Sequence, residues 1–294
     1  MRLRSSSALL ALVLLASLSA CIKDSNPPIP AYIYVEDLQF QQRNPALEGS
    51  GSQRITDAWV SVNGQLIGAD NLPVLLPVIL NDTTEEYTII TRAGIEENGI
   101  LNRKIDYPFF SWHVETRRLQ AGEIDTIRAV VRYDSTATIE IVEDFENVGI
   151  VWGEDLDGNT NTSIIKSQED VFEGTHSGKI VLDSGNLACT AATSVYYSDL
   201  QPQGSAFQVF MEMNYKTELP IRIGLRARYA NGSTETTYLG GVNPKDTWNK
   251  IYFNLTEEIF TKNAQAYAIV FDVVNSSQLP APKVYIDNVK LLHY

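Results

Sequence analysis

Between Pro220 and Tyr229, Arg222, Arg226 and Arg228 alternate with Ile221, Ile223, Leu225, Ala227 and Tyr229. A two-residue period puts the apolar set on one face of a strand and the three arginines on the other. Guanidinium groups in a row bring forked donors to hydroxyls and carboxylates. With Tyr252 and Tyr238 expected as aromatic neighbours, the face is a candidate groove for an acidic or neutral glycan, which needs a ring platform flanked by hydrogen-bonding side chains. The same pattern also describes a solvated sheet face whose arginines pair across strands with Glu212. Trp152 and Tyr196-Tyr197 lie in loop-like stretches and are further candidate platforms. Trp248 reads as packed at a strand start, and Trp59 and Trp112 as core or inter-domain residues.

A second group is Asp155-Leu-Asp157-Gly-Asn159-Thr-Asn161, where alternate side-chain oxygens in a loop can converge on a cation. As an EF-hand it fails, because Thr160 replaces the turn glycine and Lys166 the bidentate glutamate. A plain Asp-Gly turn is the simpler account, with a loop cation site as the alternative. Catalytic chemistry finds little to build on. The histidines are His113, His176 and His293, and there is no His-Glu-x-x-His, Gly-x-Ser-x-Gly or Gly-Lys-Ser/Thr motif. A serine or cysteine nucleophile lacks a visible base. Paired carboxylates of the glycosidase kind stay open among 36 acids. The expectation is a binding protein and no enzyme.

The elements that must carry these residues are strands. The chain has 294 residues, 44% of them hydrophobic, which suits one large domain or two modest ones. A net charge of -13 argues against nucleic acid, whose phosphates require a cationic surface. Two cysteines exclude a disulfide scaffold and a Cys-only zinc site. From Tyr32 the pattern is short alternating runs: Ile55 to Val62, a hairpin turn at Asn63-Gly64, Gln65 to Gly68, Val74 to Leu80, Tyr87 to Thr91 and Ile124 to Tyr133. A hinge is expected at Asp134 to Glu143. Beyond it come strands at Ser177 to Leu182, Phe207 to Lys216, Pro220 to Tyr229, Thr234 to Leu239, Trp248 to Leu255, Ala266 to Val274 and Lys283 to Leu292. Thr256 to Lys262 alone reads as a helical turn. The expected fold class is all-β, with an N-terminal β-sandwich over residues 32–137 and a jelly-roll β-sandwich over 144–294.

The N-terminus reads as a targeting signal. Arg2 and Arg4 precede an apolar stretch of 11 residues, Ala8 to Leu18, too short to span a bilayer. Leu18-Ser19-Ala20-Cys21 resembles the lipobox of bacterial lipoproteins. The resemblance implies cleavage of residues 1–20 and acylation of Cys21, with an ordinary secretory peptide as the alternative. Cleavage leaves 274 residues at a net charge of -15. Cys189 is then without a partner and reads as a buried small apolar residue. Residues 21–31, rich in proline, form a tether. Lys23-Asp24 resembles a weak form of the export signal of surface lipoproteins in Bacteroidetes-type bacteria. Outer-membrane, surface-exposed placement is therefore expected, with the periplasmic face open.

Two further resemblances concern the folded part. Val60-Ser-Val-Asn-Gly-Gln-Leu-Ile-Gly68, Leu72-Pro73 and Tyr87-Thr-Ile-Ile-Thr91 resemble the small sandwiches related to PEGA, immunoglobulin-like in build. Phe145-Glu146, Glu173-Gly174-Thr-His-Ser-Gly178-Lys-Ile-Val, Trp248-Asn-Lys-Ile-Tyr-Phe-Asn-Leu255 and Val284-Tyr-Ile-Asp-Asn-Val-Lys-Leu291 occur in the order of galactose-binding-like, carbohydrate-binding-module jelly rolls. That resemblance implies a structural calcium held by Glu146, Asp287 and the loop from Gly174 to Ser177. It also implies carbohydrate or another envelope polymer as ligand. The alternative is a structural or assembly subunit of a surface complex, with an envelope protein as partner and no small ligand.

Overall fold

The computed structural model describes residues 28–81, 84–200 and 208–294, and it is built almost wholly of strands. In the N-terminal part these are β1 (Ala31–Phe40), β2 (Asp57–Val62), β3 (Gln65–Asn71), β4 (Val74–Val78), β5 (Tyr87–Glu96), β6 (Lys104–Asp106), β7 (His113–Arg117) and β8 (Ile124–Val131). Sheet I has the order β4-β1-β8, with β1 and β8 parallel. Sheet II has the order β3-β2-β5-β6, with β7 also on β5. Alternation sets the core. Ile33, Val35, Leu76, Ile127 and Ala129 point inward from sheet I to meet Val60, Ile89 and Ile95 of sheet II. Asn63 and Gly64 both take positive φ, at 48° and 80°, as a two-residue hairpin turn requires. One short helix, α1 (Pro45–Glu48), is capped by the Asn44 side chain, which accepts from Ala46 N.

The C-terminal part contains β9 (Thr138–Glu143), β10 (Trp152–Asp155), β11 (Ser163–Ser167), β12 (Ser177–Val181), β13 (Ala188–Thr193), β14 (Val209–Thr217), β15 (Ile221–Arg228), β16 (Thr234–Val242), β17 (Lys245–Asn254), β18 (Ala266–Val274) and β19 (Val284–His293). The helix α2 (Thr256–Lys262) lies where the sequence places a helical turn. Sheet III runs β10-β13-β18-β15-β16, and sheet IV runs β11-β12-β19-β14-β17. The two pack face to face around Met211, Met213, Ile223, Leu225, Phe253, Ile269, Phe271 and Ile286. This is the expected all-β jelly-roll sandwich. The expected hinge is instead strand: β9 pairs with residues 289–293 of β19, beside the β12 pairing at residues 285–286.

The two sandwiches share a core. Phe210, Tyr252 and Leu292 point outward from sheet IV into the N-terminal cluster of Tyr107, Phe109, Phe110 and Tyr133. The Tyr107 ring centroid lies 5.5 Å from Phe210 and 4.9 Å from Tyr252. At the centre Glu212 is fully buried. It accepts hydrogen bonds from Tyr107 Oη at 2.7 Å and Tyr133 Oη at 2.9 Å and pairs with Lys250 Nζ at 2.8 Å. Buried charge persists only where partners surround it, and here three do. Lys290 beside it donates to Ser50 O and Tyr133 Oη. The outward face of sheet IV along β14, β17 and β19 is thereby covered at the junction, while β11 at its edge keeps Ile165 exposed.

Candidate functional site

Sheet III keeps its outward face. Strand register lays out one row across it: Glu154, Ala192, Val270, Gly224 and Tyr238 are successive neighbours on β10, β13, β18, β15 and β16. The middle of the row is small, so the backbone forms a floor. Gly224 is obligatory there, since a Cβ would meet Thr237 O at 2.6 Å and the Tyr238 ring at 3.0 Å. On one side stands the row Thr190, Asp272, Arg222; on the other Ala268, Arg226, Thr236.

The arginines form two stations, each on a tyrosine. At the first, the Arg222 guanidinium lies 4.5 Å from the Tyr238 ring centroid, and its Nε donates to Asp272 Oδ2. Asp272, itself buried, also accepts from Thr190 Oγ1 at 2.7 Å. The Arg222 side chain is nevertheless 55% exposed, so its outer nitrogens face solvent. At the second, Arg228 lies 4.1 Å over the ring of Tyr196. The Tyr196 hydroxyl donates to Glu154 Oε2 at 3.2 Å and accepts from Arg226 Nε at 3.1 Å. Tyr196, with Leu156, also packs on Ala192, Ala268 and Val270, which explains why these outward residues are buried. Arg228 is exposed and has no acidic partner among the described residues.

Four sequence expectations require correction. Tyr252 is not beside the arginines: β17 pairs with β14 in sheet IV, so its ring is buried in the junction and its hydroxyl accepts from Arg54 N at 2.7 Å. Glu212 lies on the same outward face of β14, and the carboxylates that meet Arg222 and Arg226 are Asp272 and Glu154. Trp152 is no platform but is buried, stacked 4.8 Å from Phe271. Trp112, expected inside, is 59% exposed under Arg92. Among the residues expected to pack, Trp248 is half-buried, with Nε1 donating to Asp170. Tyr238 and Tyr196 were legible as aromatics; Asp272, Thr190 and the Ala192 floor were not singled out.

The expected calcium residues partly assemble at the other end of the sandwich. Glu146 Oε1 accepts from Thr175 N and His176 N, both at 2.8 Å, and Oε2 from Thr175 Oγ1 at 2.6 Å. Gly174 lies against Glu146; a Cβ there would fall 2.5 Å from Oε1. Asp287 is fully buried and accepts from Phe172 N and Glu173 N at 3.3 Å and Asn288 N at 2.8 Å. Burial pushes its carboxyl up to about 7, with the charge of Glu146 adding to the rise. Ser177 stands apart: its hydroxyl donates to Asp170 O. Glu146 and Asp287 are the side chains that would hold the expected cation, and in this structure their oxygens are met by backbone N–H and hydroxyl donors. Among the described residues no group of three or more His, Cys, Asp or Glu forms a metal cluster. The run Asp155 to Asn161 is a chain of side-chain-capped turns, in which Asp155 Oδ1 accepts from Asp157 N and Gly158 N.

Cys21 lies outside the described residues. Cys189 is buried in β13, and burial pushes its thiol up to about 12, so it stays protonated. No helix among the described residues is long and apolar enough to cross a membrane.

No protein-family model and no curated protein matches the sequence. Solved structures are similar at low identity. The family 11 carbohydrate-binding module of the cellulosomal cellulase Lic26A-Cel5E of Clostridium thermocellum is 15% identical over 54% of this chain and 97% of that chain, at a TM-score of 0.38. The xylan-binding domain CBM22-1 from Paenibacillus barcinonensis Xyn10C is 13% identical over 51% of this chain and 90% of that chain, at a TM-score of 0.33. The enzymatically active domain of bacteriophage CBA120 tailspike protein 4 is 11% identical over 45% of this chain at a TM-score of 0.35, and the chain spans only 18% of that domain.

Proposed function

We propose that this chain is a lipid-anchored envelope lipoprotein whose C-terminal jelly roll binds carbohydrate, or another hydroxyl-rich envelope polymer, on the outward face of sheet III. The observation that carries the binding role is the asymmetry of the sandwich. One outward face is buried under the N-terminal domain, and the other carries two arginine-on-tyrosine stations flanking a floor of small residues. Such a face supplies forked guanidinium donors for sugar hydroxyls, held in place by the tyrosine rings on which the arginines stack. The anchor is supported by the sequence from Arg2 to Cys21. A surface location is supported by Lys23-Asp24 directly after the cysteine, with the periplasmic face as the alternative.

Binding is tested on a glycan array with the full chain, comparing wild type with the Arg222→Ala/Arg228→Ala double variant. Wild-type signal that disappears in the variant supports the reading. No wild-type binding to any neutral or acidic glycan refutes it. A structural calcium held by Glu146 and Asp287 accompanies this proposal. Its role is to fasten the first loop of the jelly roll to β19, at a distance from the arginine face.

A further inference from the structure

Sheet I leaves an apolar face at the pole where the described chain begins. Its inward residues are core, so Tyr32 and Tyr34 on β1, Leu75 and Pro77 on β4, and Ile124 and Thr126 on β8 point outward. Register aligns them in two rows, Pro77-Tyr32-Ile124 and Leu75-Tyr34-Thr126. Ile29 and Ile79 extend the face past the ends of the strands. Ile29 is 67% exposed, Leu75 49%, Ile79 56% and Ile124 59%. A groove of about 500 Å³ between the β2-β3 hairpin and the end of β4, lined in part by Leu66, Pro77 and Ile79, continues the surface. Neither row holds a carboxylate; exposed Glu36 and Asp37 on β1 and Glu123 beside Ile124 border the face. An apolar patch of this kind marks an interaction site.

We infer that this face docks on the lipid bilayer itself, so that the N-terminal sandwich lies against the membrane and does not stand off it. The inference rests on acylation of Cys21. Only seven residues separate Cys21 from Ile29, eight residue steps with a reach of at most about 30 Å when fully extended. Gly122 N donates to Pro30 O at 2.8 Å, which pins the chain's entry at this same pole. A tethered face needs little intrinsic affinity, because the tether makes its encounter with lipid intramolecular. The chemistry also fits: tyrosine sits at headgroup level with an apolar body and a polar tip, among aliphatic side chains, and the acids Glu36, Asp37 and Glu123 stand at the border of the face.

The test uses the full-length acylated protein on phosphatidylcholine/phosphatidylethanolamine vesicles. Nitroxide labels are placed singly by Leu75→Cys, by Ile124→Cys and, as an aqueous reference on sheet III, by Thr234→Cys. Docking predicts that the labels at 75 and 124 lose their broadening by a water-soluble nickel chelate and gain it from dissolved oxygen, while the label at 234 stays open to nickel. All three labels equally open to nickel, on protein whose mass shows the acyl chains, overturns docking and leaves the anchor standing. A mass without acyl chains overturns the anchor and docking together. Dipolar broadening between like labels shows a second copy on the face, and also overturns the inference.

Discussion

Asp287 and Arg228 carry charges in opposite circumstances. Asp287 is fully buried with its carboxyl raised to about 7, so its proton is held more tightly in the folded chain than in the unfolded one. The stability it contributes is complete below about pH 4 and is lost as pH rises through 7, with a slope of at most about 1.4 kcal/mol per pH unit. If calcium binds Glu146 and Asp287, the metal competes with that proton. Added calcium should then raise the melting temperature at pH 8 and do little at pH 5.5, and Asp287→Asn should abolish the shift. A calorimetric scan without any calcium shift at pH 8 would remove the ion. Arg228 is exposed with only a ring beneath it. Arg228→Ala should weaken glycan binding by about tenfold, or ~1.4 kcal/mol, and leave melting unchanged. Tyr252→Phe should do the reverse, keeping affinity and costing about 1 kcal/mol, because its hydroxyl serves the domain junction.

At the scale of elements, Gly178, the second residue of β12, shows why the Gly-x-x-x-Gly run into that strand cannot be filled. A Cβ would meet the Phe145 ring at 2.3 Å and Ile286 at 2.9 Å. Gly178→Ala should cost about 1–3 kcal/mol in chemical denaturation, by overpacking between β12 and the aromatic that opens the domain. An unchanged midpoint would show that Phe145 swings clear. These glycines, Phe145 and the alternating runs of β15 and β19 were legible, because bulky residues at period two leave a strong signal. Strand β13 was not. Its sequence Ala-Cys-Thr-Ala-Ala-Thr has no large or aromatic side chain, yet it supplies the Ala192 floor. The neighbours of the arginines were hidden for a different reason: which strand lies beside β15 is set by long-range topology. Asp272, not Glu212, faces Arg222 because β18, not β14, is adjacent. The short β6 and β7 were hidden by their length, and β9 passed as a linker because only pairing with β19 makes it a strand.

For the whole molecule, the shared core makes two sandwiches one unit. Glu212→Gln removes the carboxylate that pairs with Lys250 and accepts from both tyrosines, and breaking a buried pair in this way costs about 3–5 kcal/mol. Calorimetry should show a single transition in wild type and a single, earlier one in the variant. Two separated peaks in wild type would mean that the junction does not couple the domains. Burial pushes the Lys290 amine down to about 7, so its contribution to stability is full above about pH 10.5 and is lost as pH falls through 7.

The position of β19 has a consequence in time. It follows every other described strand in chain order, yet β9, β12 and β14 all pair with it, and Lys290 and Leu292 close the junction from it. A nascent chain that has not yet released Val284 to His293 holds three unpaired strand edges and an uncovered N-terminal core. Closure of both sandwiches therefore waits on these long-range pairings with β19. A protease meets a nearly binary signal: β19 is seated and the two sandwiches are closed, or it is not and both are open to cleavage.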